Sequence, residues 1–330
     1  MKFGAVPTLE ADGGLLAHSL KADGRTWRKA HRLTQADVLA LAAAGVAELV
    51  IARLEDGDVH EDEAASRLGA RLAGAGVEAR RAATGRVNLH ARVAGVLCVA
   101  APQVDAVNAV HESITVGTLR PWSVVAAGDM VATVKIIPYA VREAALLAAE
   151  SASQRPNGAA LRVAPFCGLR VGLLMTSLAG TGSAELAKMR RGVVDRLAPL
   201  AASLQAESTV PHDAASVAAT LVDWAARDDL QAVLVAGAAA IVDRADVVPA
   251  AIEAAHGHVI HVGMPVDPGN LLVLGRLSSG RRQTLPVVGI PTCARSPKVN
   301  GFDWVLQRLA AGLEVGSQDL ARMGVGGLLL

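Results

Sequence analysis

Aromatic residues are scarce in this chain: three Phe, four Trp and one Tyr make up 2% of its 330 residues. Proteins that hold single-stranded nucleic acid stack bases on aromatic side chains, and few such platforms are available here. Net charge is also nearly absent. The 32 Lys and Arg stand against 31 Asp and Glu, and the resulting +1 exerts no global pull on a polyanion. Nucleic acid is therefore not the expected partner. A phosphorylated small molecule is a different case, because a few well-placed donors suffice to hold one. Cysteine is sparse, and the widely separated Cys98, Cys167 and Cys293 do not make a disulfide framework. No apolar run reaches the roughly 18 residues that a spanning helix requires. The opening Met1–Asp12 lacks the sustained apolar region of a signal peptide, so the cytoplasm, with no membrane attachment, is the expected address.

What the chain has in quantity is small aliphatic residue. A hydrophobic fraction of 52% with 19% charged residues describes a packed globular protein, and the length suits two domains. Residues 5–59 predict a small α/β unit. Leu15–Ser19 is β-like, Thr34 is placed to cap a helix over Gln35–Ala44 with Asp37 at the third helical position, and Glu48–Ala52 follows as a strand. Glu61–Ala75 reads as a helix with an acidic first turn, closed by Gly74 and Gly76. The β-branched run Met130–Pro138 predicts a buried strand. The polar, breaker-rich stretch Glu150–Pro165, with Ser151, Ser153, Gln154, Pro156, Asn157 and Gly158, has linker composition, which sets the expected domains at 1–160 and 166–330.

Beyond that stretch strands and helices alternate: a strand at Leu169–Met175, a helix at Ala184–Leu204, a short strand near Val210 and a helix at Ala214–Ala226. A strand at Ala232–Ala236 and a helix at Val247–Ala255 come next, and a helix at Phe302–Leu313 closes the series. The expectation is an α/β fold with a mostly parallel sheet covered by helices on both faces. Two apolar runs, Val259–Val262 and Pro286–Ile290, open into the Pro- and Gly-rich turns Gly263–Asn270 and Gly289–Asn300. Ligands of open α/β sheets bind at such strand ends.

These turns resemble in layout those of the molybdopterin-binding fold, shared by the molybdopterin adenylyltransferases and molybdotransferases of molybdenum cofactor biosynthesis. Val266-Asp267-Pro268-Gly269 is similar to that family's Pro-Gly-Lys-Pro turn, and Ile290-Pro291-Thr292-Cys293-Ala294 to its Leu-Pro-Gly-Asn-Pro turn. Val233–Gly237 followed by Asp246-Val247-Val248-Pro249 resembles the family's strand, double-glycine turn and aspartate ahead of a Val-Pro helix start. This chain departs in carrying Ala238 for the second glycine, Ala238-Ala239-Ala240 where a serine is usual, and one extra residue before the aspartate. The resemblance implies binding of molybdopterin or its nucleotide form, a phosphorylated pterin, with other enzymes of the pathway or a second copy of the chain as partners. A free-standing role beside a cytidylyltransferase is expected, because the chain closes at Gly326–Leu330 without a fused one. The alternative it implies is an active Mg²⁺-dependent molybdotransferase or adenylyltransferase.

On this reading Asp246 is the first candidate for the family's acidic, catalytic residue and Asp243 the second, each competing with an ordinary helix-capping role. The ligand site is expected from Ser177, Thr181, Gly182 and Ser183, from Gly237 and Ala238, from Asp267, Pro268, Gly269 and Asn270, and from Pro291, Thr292, Cys293, Arg295, Lys298 and Asn300. Thr181 or Ser183 could equally cap the following helix. Arg295 and Lys298 are phosphate candidates or solvated loop charges. Asn300 suits either a pterin edge or a cap. Cys293 is a reactive thiolate if the flanking cations lower its pKa, and otherwise a small loop filler. His256, His258 and His261 lack the spacing of a metal set.

Overall fold

The computed structural model describes residues 1–155, 158–278 and 284–329. Pro156 and Asn157, part of the expected linker, and the terminal Leu330 lie outside them. The chain divides into two compact units, Met1–Val163 and Ala164–Leu330.

In the first unit Glu48–Arg53 pairs antiparallel with Lys2–Pro7 on one side and Leu15–Leu16 on the other. The helix Gln35–Ala43 starts where the sequence places it. Thr34 Oγ1 accepts from the Asp37 amide at 3.3 Å while Asp37 accepts from the Thr34 amide at 3.1 Å, a reciprocal cap that satisfies two free donors. Leu16, Leu33, Val38, Leu41 and Ile51 close a core beneath it. A four-stranded antiparallel sheet follows, in the order Ile114–Thr118, Met130–Ile136, Arg86–Ala91, Val77–Ala79. It shares its core with the helices Glu61–Leu72, Ala101–Asn108 and Glu143–Ala152. The first of these ends at Leu72, before the expected Ala75. Ala73 is already extended and bridges Leu161, whose carbonyl accepts from the Gly74 amide at 2.8 Å, so the chain has left the helix there.

The second unit is built on β1 (Arg170–Ser177), α1 (Ser183–Leu197), β2 (Ser203–Pro211), α2 (Ala214–Ala225) and β3 (Ala232–Ala236). Then come α3 (Val247–Ala254), β4 (His258–Val262), β5 (Val273–Leu277), β6 (Leu285–Ile290), α4 (Gly301–Ala310) and α5 (Ser317–Ala321). The six strands lie in the order β2-β1-β3-β6-β5-β4. β2, β1, β3 and β6 are parallel neighbours, and β5 alone runs against both of its neighbours. The carboxyl ends of the other five therefore share one edge of the sheet.

Alternating side chains fill two cores. Leu173, Leu234 and Val288 pack under Met189, Val193 and Leu197 of α1 and Phe302, Val305 and Leu306 of α4. Leu174, Val233 and Val287 pack under Val217, Leu221 and Trp224 of α2 and Val248 and Ile252 of α3. A sheet buried on both faces explains why β3 reads as an unbroken apolar run.

Two expected boundaries shift. The helix expected to reach Leu204 ends at Leu197, because Pro199 cannot continue the ladder and Ala201 takes a left-handed conformation, φ 52°. In place of a short strand near Val210 stands a nine-residue edge strand, β2, which takes up Ser203 and Leu204 from the end of the expected helix and has no fully buried residue. The closing helix stops at Ala310, with Gly312 at φ 66° just beyond.

Candidate functional site

The turns named from the sequence meet at the carboxyl edge of this sheet, and the structure shows what joins them. Arg295 rises from the turn after β6. Its guanidinium donates to the carbonyls of Gly237 and Ala238 at 3.1 and 3.2 Å, in the turn after β3, and to Glu185 Oε1 at 3.1 Å, in the first turn of α1. Gly301 at the start of α4 donates its amide to the Pro268 carbonyl at 2.9 Å. A Cβ on Gly269, at φ 131°, would overlap the Gly301 amide, so glycine at this position permits the close approach of the two turns. A small hollow lies among Met189, Ala236, Gly237, Pro291, Thr292 and Arg295.

The predicted residues divide by what their side chains already do. Arg295 is engaged as a clamp between turns. Lys298 is exposed, and its carbonyl is held by Arg196 at 3.1 Å. Neither Thr181 nor Ser183 caps α1: the N-cap is Gly182 without a side-chain bond, and Thr181 Oγ1 accepts from the Leu178 amide at 3.0 Å. Asn300 is fully buried and caps α4, accepting from the Phe302 amide at 2.8 Å, which leaves its buried Nδ2 without a partner among the described residues. Asp267 is exposed at the turn, and its backbone is tied to Gly327 and Leu329 at 2.8 Å each.

The two candidate catalytic carboxylates act as local caps. Asp246 accepts from the amides of Val247 at 2.7 Å and Val242 at 3.1 Å, and Asp243 accepts from that of Ala245 at 2.7 Å. Among the described residues no group of three or more His, Cys, Asp or Glu side chains could hold a metal ion. Cys293 also departs from the thiolate reading. Although Cys293 is exposed, desolvation by the surrounding turn pushes its thiol up from the ordinary value, outweighing the backbone amides of Cys293 and Gly269 and the more distant Arg196.

Three further residues shape this edge that the sequence reading does not single out. Arg196 on α1 reaches the turn after β6 and donates to Asp303 Oδ1 at 2.6 Å and to the carbonyls of Ser296 and Lys298. Asp303 in turn accepts from the Asn300 amide at 2.7 Å, and this Asn-x-x-Asp spacing is a readable capping-box signal. His212, directly after β2, bonds through Nδ1 to Thr176 Oγ1 at 2.7 Å. Its place between a strand end and the Asp213 cap of α2 is the signal available.

His256 follows α3 at φ 57°, while His258 and His261 both lie on β4, where His261 Nδ1 bonds Ser317 Oγ at 2.9 Å. A larger cavity of about 410 Å³ opens at the opposite end of the sheet, lined among others by Gln231, Leu274, Arg276, Pro286 and Leu313, and includes none of the predicted site residues.

Residues 5–53 match a family model described as a domain of unknown function, DUF8806. No curated protein matches the chain. Among solved structures the chain is similar to a molybdenum cofactor biosynthesis protein B, at 15% identity over 44% of this chain and 96% of that one, with a TM-score of 0.31. It is similar to the molybdopterin biosynthesis enzyme MoaB of Thermus thermophilus, at 17% identity over 44% of this chain and 97% of that one, with a TM-score of 0.30. It is also similar to a molybdenum cofactor biosynthesis protein from Pyrococcus furiosus, at 10% identity over 95% of this chain and 66% of that one, with a TM-score of 0.26. Among the described residues no helix is long and apolar enough to cross a membrane.

Proposed function

We propose that the carboxyl edge of the second unit's sheet binds a phosphorylated pterin of the molybdopterin type, and that the protein serves molybdenum cofactor biosynthesis as a binding partner of pathway enzymes. The observation that carries this reading is the meeting of the turns that resemble the molybdopterin-binding family. Gly269 and Pro268 pack on the start of α4, and Arg295 bridges the turn after β6 to Gly237 and Ala238. Backbone amides at the start of α1, free of a side-chain cap, and the exposed Lys298 supply the donors a phosphate needs. Binding is favoured over transfer chemistry because the acids at this edge are oriented by backbone amides and Ala238–Ala240 present no side chain to orient a metal or nucleophile.

The test is mass spectrometry of ligand released from the protein after expression in a host that makes molybdopterin, with calorimetric titration of the recovered pterin. Binding lost in Lys298→Ala by about tenfold, the worth of one charge-assisted hydrogen bond, is the expected result. Absence of any pterin from the purified protein, or a flat titration of what is recovered, would remove the proposal. Adenylyl transfer or molybdate insertion abolished in Asp246→Asn would replace binding by catalysis.

A further inference from the structure

Thr176 is the last fully buried residue of β1, and its hydroxyl joins three strand ends. It accepts from the Ala238 amide at 2.8 Å, in the turn after β3, and it bonds Nδ1 of His212, after β2, at 2.7 Å. A hydroxyl buried from solvent needs an acceptor for its proton. Ala238 offers Thr176 a donor, so the acceptor is the imidazole nitrogen. In its neutral form His212 must then carry its proton on Nε2. The ring's Cε1 lies 3.8 Å from where a Cβ on Gly237 would stand, so the adjoining Nε2 is held at the same turn. A Cβ on Gly237 would meet the Ala239 carbonyl at 3.0 Å, so glycine suits the tight turn beside the ring.

We propose that His212 is a ligand-contacting residue of this edge, presenting Nε2–H as a hydrogen-bond donor to a phosphate group, with Thr176 as the positioning residue that fixes its tautomer. The inference rests on the reading of this edge as the ligand site, and deepens it by naming the group that contacts the phosphate. An imidazole whose donor nitrogen is set in advance avoids the reorientation that a free histidine would need before binding.

The test uses the full chain labelled with ¹⁵N-histidine at pH 8, with two probes: inorganic phosphate, and a pterin monophosphate compared with its dephosphorylated twin. The expected spectrum of the free protein assigns His212 to the Nε2–H tautomer, and phosphate moves its Nε2 resonance. His212→Ala is expected to weaken the phosphorylated pterin about tenfold while leaving the dephosphorylated one unchanged. Thr176→Val, similar in shape but without the hydroxyl, should mix the tautomers and weaken phosphate-dependent binding with the circular dichroism spectrum retained. An Nδ1–H tautomer in the free protein would overturn the inference, as would a ring silent to both phosphate and bound pterin monophosphate. If neither pterin binds the wild type, the pterin reading falls by itself. The phosphate titration then still decides for or against His212.

Discussion

Arg196 places its guanidinium on Asp303 and on the carbonyls of Gly192, Ser296 and Lys298, and both partners of the ion pair are about one-tenth exposed, at 10% and 12%. The turn from Pro291 to Asn300 depends on it. Arg196→Met should cost roughly 3 kcal/mol in urea unfolding, because it leaves a buried carboxylate without its partner. A loss below about 1 kcal/mol would reduce the pair to an ordinary surface contact. Cys293 gives a prediction with a definite sign in pH. Since desolvation raises its thiol above the ordinary value, the unreactive protonated form persists through neutral pH and the thiolate appears only at higher pH than in an unstructured peptide. Alkylation by iodoacetamide at pH 7 is expected to be slower than that of a free cysteine even though Cys293 is exposed, and a faster reaction would contradict the raised thiol. Residue roles of this kind are the least legible part of the sequence. Arg295 reads from the sequence as a phosphate candidate or a solvated loop charge, and only the fold shows that its donors reach Gly237, Ala238 and Glu185.

Elements are more legible than residue roles, for a local reason. Thr34 and Asp37 fix the start of the Gln35–Ala43 helix through neighbours three positions apart, Asn300 and Asp303 fix that of α4 in the same way, and Asp246 caps α3 through the adjacent Val247 amide. Signals carried within one turn of chain survive folding. Where the deciding contact is distant, as when the approach of Gly74 to Leu161 ends a helix early, sequence pattern overshoots. Most of the strand β2 escapes the pattern because Leu204, Ala206 and Val210 alternate with polar residues at an edge, a weak signal beside a preceding helix of the same composition. The start of α1 supports an element-scale prediction. Gly182→Asp should add the missing cap and stabilise the protein by a few tenths of a kcal/mol, the usual margin between Gly and Asp at an N-cap. It should also weaken binding of pterin monophosphate by placing a like charge where the anion is expected. Gain in melting temperature with unchanged affinity would show that this helix start lies apart from the ligand.

At the scale of the whole molecule, each unit has its own buried core, centred on residues such as Leu68, Leu89 and Ile136 in one and on Leu173, Leu234 and Phe302 in the other. Separate cores of this kind permit separate cooperative units. Calorimetry is expected to show two transitions, with Leu234→Ala, which empties a fully buried site at a cost of about 2–5 kcal/mol, lowering only one of them. A single transition moved as a whole would show that the units melt together.

β2, finally, occupies the end of the six-stranded sheet with no partner on its outer side among the described strands. β1 satisfies the groups on its inner side, and the amides and carbonyls that point outward form a template on which a strand from another molecule can grow. Gln205, Glu207 and Thr209 keep that rim polar and Pro211 removes one donor from it. Glu207, held by Arg190 at 2.7 Å, puts charge at the middle of the row. How well the protein resists fibril formation in a crowded solution thus turns on a carboxylate that has no share in holding a ligand.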